Sequence, residues 1–382
     1  MKVGRLEPGD LERWLTLLRS AFNVKLEDAA RWMEQDGHDN VRLIRDARGV
    51  LGGHTLLPMG QFYGGRRVPM AGIGAVAVAP EFRGGGTAIR LMEEAVREMY
   101  ATGFPLSVLY PATQVLYRKS GYEQAGLRCH ASMKLSQIGL SDRSLPLVAL
   151  PSEPARVEEL YGRWARMTNG AVDRTFCNWI RVLRRHEDPI DFYGVGEPLE
   201  GYLALRRTGG IANYNLELTD LIATSADAAR RLFSLLADHR TLADEVLFPC
   251  LPQDPILAAL PEQYLQLRLR NWWMLRVVDV PRALAERGYP RTVRTSLDLE
   301  VHDELIPDNR GPWRVEIRDG QAQVETGGKG RLKVGIRGLA CLYGGFFTPW
   351  QARAAGLLDG PDEELARLEG VFGSPAAMVD GF

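Results

Sequence analysis

The sequence has 382 residues, a length that favours two or three domains over one compact unit. It is 45% hydrophobic and 25% charged with a formal net charge of -1, so no large field of one sign points to nucleic acid or to an anionic membrane. The sequence does not open on the apolar segment of a signal peptide, and no run of about 18 uncharged apolar residues occurs. We therefore expect a soluble, cytoplasmic protein that binds neither nucleic acid nor membrane.

The cysteines give no sign of a metal site or of a disulfide framework. They lie far apart, at Cys129, Cys177, Cys250 and Cys341. No CxxC pair and no clustered histidines accompany them, so we expect no bound metal and a reducing environment.

The first part of the chain changes from helical to extended patterns. A turn joins the first two predicted strands, so we expect the first sheet to begin with an antiparallel pair. A later strand, helix and strand form a crossover, which predicts two parallel neighbours. The predicted helices are 10–22, 27–35, 87–101 and 115–120, and the predicted strands are 41–45, 52–59, an extended stretch from 66 to 70, 72–79 and 106–110.

A stretch rich in proline and apolar residues, 146–154, is predicted to be a linker. After it the crossover recurs at lower fidelity. The predicted helices are 157–167 and 226–239, and the predicted strands are 201–206, 213–220 and 245–250. Where the first copy has a glycine loop, this copy has Leu221-Ile222-Ala223-Thr224-Ser225, so it lacks the backbone donors that a pyrophosphate needs.

The last part of the chain predicts an α+β unit whose strands alternate apolar and polar residues. A helix at 281–287 precedes strands at 294–301, 313–318, 321–326 and 331–336, and two helices, 338–343 and 362–371, close the chain before a tail. We therefore expect three domains, 1–145, 146–280 and 281–382.

The loop Arg83-Gly84-Gly85-Gly86-Thr87-Ala88 lies between an apolar strand and an amphipathic helix. Glycines allow positive φ and close approach of backbone amides, and the first turn of a helix adds unpaired donors and the positive end of its dipole. Arg83 adds a charge, so this arrangement suits a diphosphate. The alternative is a flexible turn before a helix. P-loop and dinucleotide sites are not indicated, because the loop contains neither GK[ST] nor GxGxxG.

The stretch VAVAPEFRGGGTAIRLM, 76–92, resembles motif A of the GNAT acetyltransferases, whose loop has the form [QR]-x-x-G-x-[GA]. Arg83, Gly86 and Ala88 fill its fixed positions. With LYRKSGY after the next strand, a second degenerate copy and a terminal Phe382, the whole chain is similar to the enhanced intracellular survival (Eis) family. The resemblance implies a mixed α/β and α+β fold, with a catalytic GNAT (acyl-CoA N-acyltransferase) domain, a degenerate second GNAT domain and a sterol-carrier-protein-like C-terminal domain.

The resemblance also implies acetyl-CoA as co-substrate and a primary amine as acceptor. In GNAT proteins the strand before the loop parts from its neighbour, and its amides bind the pantetheine arm and polarise the thioester carbonyl. The positions that correspond to cofactor-binding positions of the family are Val76, Ala77, Val78, Arg83, Gly84, Gly85, Gly86, Thr87, Ala88 and Ile89. Where family members often have a small hydroxyl residue, this chain has Ala112 followed by Thr113, so one side-chain hydrogen bond to the cofactor is expected to be lost.

Tyr117 is the candidate acid for the departing thiolate, because a phenol with a pKa of about 10 is close in basicity to that leaving group. Tyr122 is its rival. The alternative for either ring is a packed aromatic whose hydroxyl makes a local hydrogen bond. The resemblance favours Tyr117, which is the first tyrosine of the family's YxxxGY pattern.

The strand 72–79 contains no acid that could act as the base. In the Eis family the main-chain carboxylate of the C-terminal residue has that role, and the corresponding residue is Phe382. A terminal carboxyl ordinarily has a pKa of about 3.5, so it is ionised at neutral pH and can accept a proton. The alternative is a frayed tail. Some family members have an acid beside the terminal residue, whereas this chain has Gly381, with Asp380 one step further.

Phe22 and Trp32 match aromatic positions of the family's amine pocket, and the alternative is that both belong to a helix core. The acceptor stays open among an aminoglycoside, a polyamine, a lysine on a protein and a small metabolite. The resemblance implies a homo-oligomer, a hexamer.

Two other functions compete with this one. The first is a non-catalytic acyl-CoA or lipid-binding carrier or sensor, in which the third domain does the work. The second is an aminoacyl or peptidoglycan-building transferase with tandem GNAT domains, which the terminal unit and the absence of a basic arm disfavour.

Overall fold

The computed structural model describes residues 1–183, 190–211 and 213–382. The helices are α1 (Leu11–Phe22), α2 (Leu26–Asp36), α3 (Thr87–Ala101), α4 (Gln114–Lys119), α5 (Glu158–Met167), α6 (Phe176–Leu183), α7 (Ala226–Asp238), α8 (Val280–Glu286), α9 (Ile336–Tyr343), α10 (Pro349–Ala354) and α11 (Asp362–Leu368). The strands are β1 (Lys2–Arg5), β2 (Val41–Asp46), β3 (Gly49–Tyr63), β4 (Arg66–Val78), β5 (Leu106–Leu109), β6 (Glu123–Lys134), β7 (Leu147–Ala149), β8 (Val172–Asp173), β9 (Asp191–Val195), β10 (Gly201–Thr208), β11 (Tyr214–Ala223), β12 (Ala243–Cys250), β13 (Gln266–Val277), β14 (Thr295–His302), β15 (Gly311–Arg318), β16 (Gln321–Thr326), β17 (Leu332–Gly335), β18 (Leu358–Asp359) and β19 (Ala376–Ala377). None of these described helices combines the length and the apolar character needed to cross a bilayer.

Residue contacts divide the chain into two compact units. The first unit contains residues 1–126, 272–376 and 382, and the second contains residues 127–271 and 377–381. The three domain boundaries given above stay a prediction.

In the first unit, β1 to β4 pair antiparallel in chain order and β5 lies parallel to β4. The antiparallel start and the parallel crossover are both confirmed. Helix α3 connects β4 to β5, begins at Thr87 and ends at Ala101 as predicted, and buries one apolar face. Residues 66–78 form the single strand β4, so the break between 70 and 72 in the predicted strands is wrong. The strand is continuous because it pairs with β3 along its length, apart from one bulge.

The first unit also contains a five-stranded sheet in the order β16-β15-β14-β17-β18. Alternate residues of β14, β15 and β17 are buried, as their pattern predicts. The prediction of two closing helices is wrong, because α10 lies between them. A capping box of Thr348 and Gln351, with Pro349 in the first turn, starts this helix, and the sequence contains that signal.

In the second unit, β11 and β12 are parallel with α7 between them, so the predicted second crossover is confirmed. The predicted linker at 146–154 is wrong over 147–149, which form β7 and pair with β9. Pro146 is compatible with this, because it lies outside the strand and its carbonyl accepts from the amide of Gly196 at 3.0 Å. Strand β6 and helix α6 were also missed.

Candidate active site

Strand β4 extends further than β5, its parallel partner. The two strands pair only where Met70–Ile73 face Leu106–Leu109, and β5 ends there while β4 continues to Val78. Residues 74–78 therefore have no β5 partner on that side. A parted pair of strands of this kind is what the family resemblance implies.

A bulge in β4 lies at the start of this unpaired stretch. The register with β3 shifts between Gly53 and Thr55, and Ala75 opposite the shift has a φ of 52°. Such a bulge re-aims the residues that follow it.

The amide of Ala79 donates to the carbonyl of Leu51 at 2.9 Å, so it points at β3. Because successive residues of a strand alternate in direction, the amide of Ala77 also points at β3. The amides of Val76 and Val78 then face the side that β5 leaves open. Of the three predicted backbone donors, these two have the direction that the role requires and Ala77 does not.

The loop after β4 has the conformation that its glycines permit. Gly84 and Gly86 have φ values of 78° and 82°, and a Cβ placed on any of the three glycines would meet nothing within 4 Å. Gly86 is the N-cap of α3, where no side chain forms a cap hydrogen bond and the first turn contains no acid. The loop and the helix start therefore offer exposed amides to an anion.

The side chains around the loop have unequal exposure. Arg83 is exposed, and its Nε donates to the carbonyl of Val78 at 3.0 Å, which holds the guanidinium at the end of β4. Thr87 is buried, while Ala88 and Ile89 are half-buried. Among these groups, Arg83 is the cation that can meet a phosphate.

Ala112 and Thr113 lie exposed just before α4. Thr113 is the N-cap of that helix, yet its side chain makes no cap hydrogen bond.

Tyr117 on α4 is 4% exposed and packs among Ala71 and Ile73 of β4 and Met92 of α3. Burial raises the pKa of its hydroxyl to about 12. This corrects the expected value of about 10, since an apolar site disfavours the phenolate. Among the described residues, no group forms a hydrogen bond with this hydroxyl.

Tyr122 is fully buried, and its hydroxyl lies 2.8 Å from the Oγ of Ser107. Ser107 donates its own proton to the carbonyl of Ala71 at 3.0 Å, so the proton between the two hydroxyls belongs to Tyr122. Tyr122 thus fits the alternative of a packed aromatic with a local hydrogen bond. Its ring meets Tyr117 edge to face at 6.3 Å between centroids.

Phe382 is docked on β4 rather than frayed. A Cβ placed on Gly72 would lie 2.8 Å from the Cε2 of Phe382 and 2.3 Å from the Cε of Met59. The centroid of the ring also lies 5.6 Å from that of Tyr110. The carbon of the terminal carboxyl group of Phe382 is 3.9 Å from a Cβ placed on Gly74. The terminal carboxyl group therefore lies beside β4, the strand that also contains the amides of 76 and 78.

Phe22 of α1 and Trp32 of α2 meet edge to face, with 5.9 Å between centroids. Phe22 is 42% exposed, so the alternative that both rings form a helix core is wrong for Phe22. The structure brings the pair together at a surface.

Several residues that shape this site were missed from the sequence. Gly72 permits the approach of Phe382, and Tyr110 and Met59 flank the ring. A glycine inside a strand signals close backbone approach, so Gly72 had a readable signal. Met59 and Tyr110 had none.

Models of known protein domains match three separate parts of the chain. A model of the acetyltransferase (GNAT) domain matches residues 2–125, and a second model of that domain matches residues 170–277. A model of the sterol carrier protein domain matches residues 280–379.

The chain is 28% identical to the N-acetyltransferase Eis of Mycobacterium tuberculosis, over 93% of this chain and 92% of the relative. A crystal structure of a GCN5-related N-acetyltransferase from Anabaena variabilis superposes with a TM-score of 0.97 at 35% identity and covers 100% of both chains. Eis1 from Mycobacterium abscessus, at 22% identity, shares the fold with a TM-score of 0.84 over 100% of both chains. The chain therefore belongs to the GCN5-related N-acetyltransferases, and it is similar over most of its length to the Eis N-acetyltransferase, with two matches to the GNAT domain followed by one to the sterol carrier protein domain.

Proposed function

We propose that this acetyltransferase moves the acetyl group of acetyl-CoA directly to a primary amine, in a site of the first unit. The observation that carries the proposal is the parted end of β4, where two outward amides lead into the glycine loop and the uncapped start of α3. The outward amides of β4 suit a thioester carbonyl, and the amides of the loop and the helix start suit a diphosphate. Acetyl-CoA needs both sets of donors close together.

The amides of 84–88 and the positive end of α3 would hold the pyrophosphate, and Arg83 adds a charge. The amides of Val76 and Val78 would bind the pantetheine arm and the thioester carbonyl oxygen. Thr87, Ala88, Ile89, Ala112 and Thr113 would line the same cofactor.

The second crossover supports this assignment by contrast. At the start of α7 the Ser225 side chain accepts from the amide of Ala228 at 3.1 Å, and Asp227 lies in the first turn. The Ser225 side chain therefore already occupies a backbone donor that a pyrophosphate would need, and the negative charge of Asp227 would repel the pyrophosphate. We propose that only the first crossover binds acetyl-CoA.

Acetyl transfer requires a base and an acid. The acceptor nitrogen would attack the thioester carbonyl, so that a C–N bond forms and the C–S bond breaks. The Phe382 carboxylate would accept the proton of the nitrogen, directly or through water, and Tyr117 would give its hydroxyl proton to the sulfur. A pKa near 12 keeps Tyr117 protonated at neutral pH, and the same dry surroundings make a thiolate more basic.

The acceptor would be an aminoglycoside, a polyamine or a lysine-like amine. We propose that Phe22 and Trp32 form one wall of its pocket, since aromatic faces attract ammonium groups. The hexamer that the resemblance implies and the cytoplasmic location expected from the sequence belong to this proposal too.

Release of free CoA tests the proposal. We expect thiol to appear when acetyl-CoA is mixed with the protein and an aminoglycoside, a polyamine or a lysine peptide, for at least one of the three. Each amine has a matched control in its N-acetylated form, which should give only the rate of hydrolysis. Binding of acetyl-CoA without any release of thiol would favour the carrier or sensor and would contradict the proposal.

A further inference from the structure

The residues before Phe382 are fastened within the second unit. The amide of Ala377 donates to the carbonyl of Asn169 at 2.6 Å. The Nε of Arg128 donates to the carbonyl of Val379 at 3.0 Å, and the Nε of Arg174 lies 2.8 Å from the Oδ1 of Asp380. This tail is therefore held by specific polar contacts.

Arg174 is the centre of a buried polar cluster. Its side chain is 1% exposed, and its two terminal nitrogens contact the carboxylate of Asp220 at 2.5 and 3.1 Å. The guanidinium also lies 3.9 Å from the ring centroid of Tyr161, whose hydroxyl is 3.2 Å from the Oδ2 of Asp380. Tyr202 donates to Asp220 at 2.6 Å. We call Arg174, Asp220, Tyr161 and Tyr202 the tail clamp.

Stability alone does not explain the tail clamp. The free energy lost when a buried ion pair is dehydrated is about as large as the free energy gained from its attraction. Apolar residues would therefore hold a tail equally firmly. The guanidinium fork, however, fixes the direction of the groups that it binds. Burial raises the pKa of Asp380, while Arg174 opposes the rise.

The chain has little freedom between the tail clamp and its end. Only Gly381 separates Asp380 from Phe382, and a Cβ at Gly381 would lie 2.8 Å from an Nη of Arg128. Two residues of extended chain span at most about 7 Å, so fixing Asp380 restricts where the terminal carboxylate can be.

We propose that the tail clamp is a positioning device for the Phe382 carboxylate, an inference that rests on the proposed function of that group as base. Asp220 lies on β11, the strand of the second crossover that corresponds to β4 of the first. Part of the tail clamp thus lies on the second crossover, which has no glycine loop. Arg174 and Asp380 are positioning residues and do not touch the substrates.

The test is Asp380→Asn in the full chain. The change leaves Arg174 paired with Asp220, so the protein should fold. We expect kcat to fall about tenfold or more, because small displacements of a reacting group cost that much, while the Kd for acetyl-CoA changes less than about twofold. The matched control is Glu217→Gln, which is also on β11. It removes an ion pair in which the side chains of Glu217 and Arg206 lie 2.7 Å apart, and it should keep the kcat of the parent.

A second comparison separates positioning from general destabilisation. In a chain without Phe382 the terminal carboxylate belongs to Gly381 and falls one residue short of the site, so adding Asp380→Asn should lower kcat no further. If the two losses multiply, or if Asp380→Asn alone keeps the parent kcat while removal of Phe382 lowers it, the inference is wrong and the proposed base survives. If removal of Phe382 leaves kcat unchanged, the proposed base fails and the inference fails with it.

A milder variant covers the case in which Asp380→Asn unfolds. Tyr161→Phe removes the hydroxyl that lies 3.2 Å from Asp380 and 2.7 Å from the carbonyl oxygen of Val172, and it keeps both carboxylates and Arg174. We expect it to lower kcat about threefold in the full chain and not at all in the chain without Phe382. Equal effects in the two chains would overturn the inference.

Discussion

Replacing the terminal carboxylate of Phe382 with an amide is expected to lower kcat by about 10²- to 10⁴-fold, the usual contribution of a general base. The amide keeps the chain length and the ring, which packs on Gly72 and Tyr110, so only the proton acceptor is lost. Binding of acetyl-CoA should be unaffected, because the proposed binding site for its pyrophosphate is the loop after β4. Steady-state kinetics and calorimetric titration of semisynthetic protein measure the two quantities.

The ring and the carboxylate can be separated by a matched variant. Phe382→Leu keeps the carboxylate and loses part of the packing, so its kcat should stay within about tenfold of the parent. Deletion of Phe382, or extension of the chain by a few residues, should resemble the amide. Parent-like turnover from the amide would remove Phe382 from the chemistry.

Tyr117→Phe is expected to lower kcat by about 10²- to 10³-fold with little change in the Kd for acetyl-CoA. The substitution removes a hydroxyl that makes no hydrogen bond to the described protein, so its cost falls on the reaction and not on the fold. With a pKa near 12, the acid stays protonated below that pH, so kcat should show no alkaline decline up to about pH 11.

Tyr122→Phe is the control for Tyr117→Phe. It removes the hydroxyl bound to Ser107, so the free energy of unfolding should fall by about 1 kcal/mol while kcat stays within about threefold of the parent. Unaltered kinetics in Tyr117→Phe, or a larger loss of kcat in Tyr122→Phe, would reject the assignment of the acid.

Local signals let the sequence predict the first crossover. The apolar strand, the glycine loop and the amphipathic pattern of α3 each depend on neighbouring residues, and α3 has the predicted bounds. The capping box of α10 is an equally local signal, although the predicted helices did not include this one. Strand β7 was missed for a different reason, because an edge strand next to prolines depends on pairing with β9.

The rest of the candidate site depends on contacts between distant residues. Arg174 and Asp380 are 206 positions apart, and nothing near either residue announces the other. Likewise, the docking of Phe382 on Gly72 depends on the folded first unit. The family resemblance implied the role of base for Phe382, whereas the direction of the amides of 76–78 could be inferred only from the register of β3 and β4.

A crystal structure of the full chain with CoA bound would show whether the glycine loop holds the cofactor. We expect pyrophosphate oxygens within hydrogen-bonding distance of the amides of 84–88, with the pantetheine arm beside Val76 and Val78. Density for CoA at the start of α7, or anywhere else with those amides unbound, would contradict this expectation.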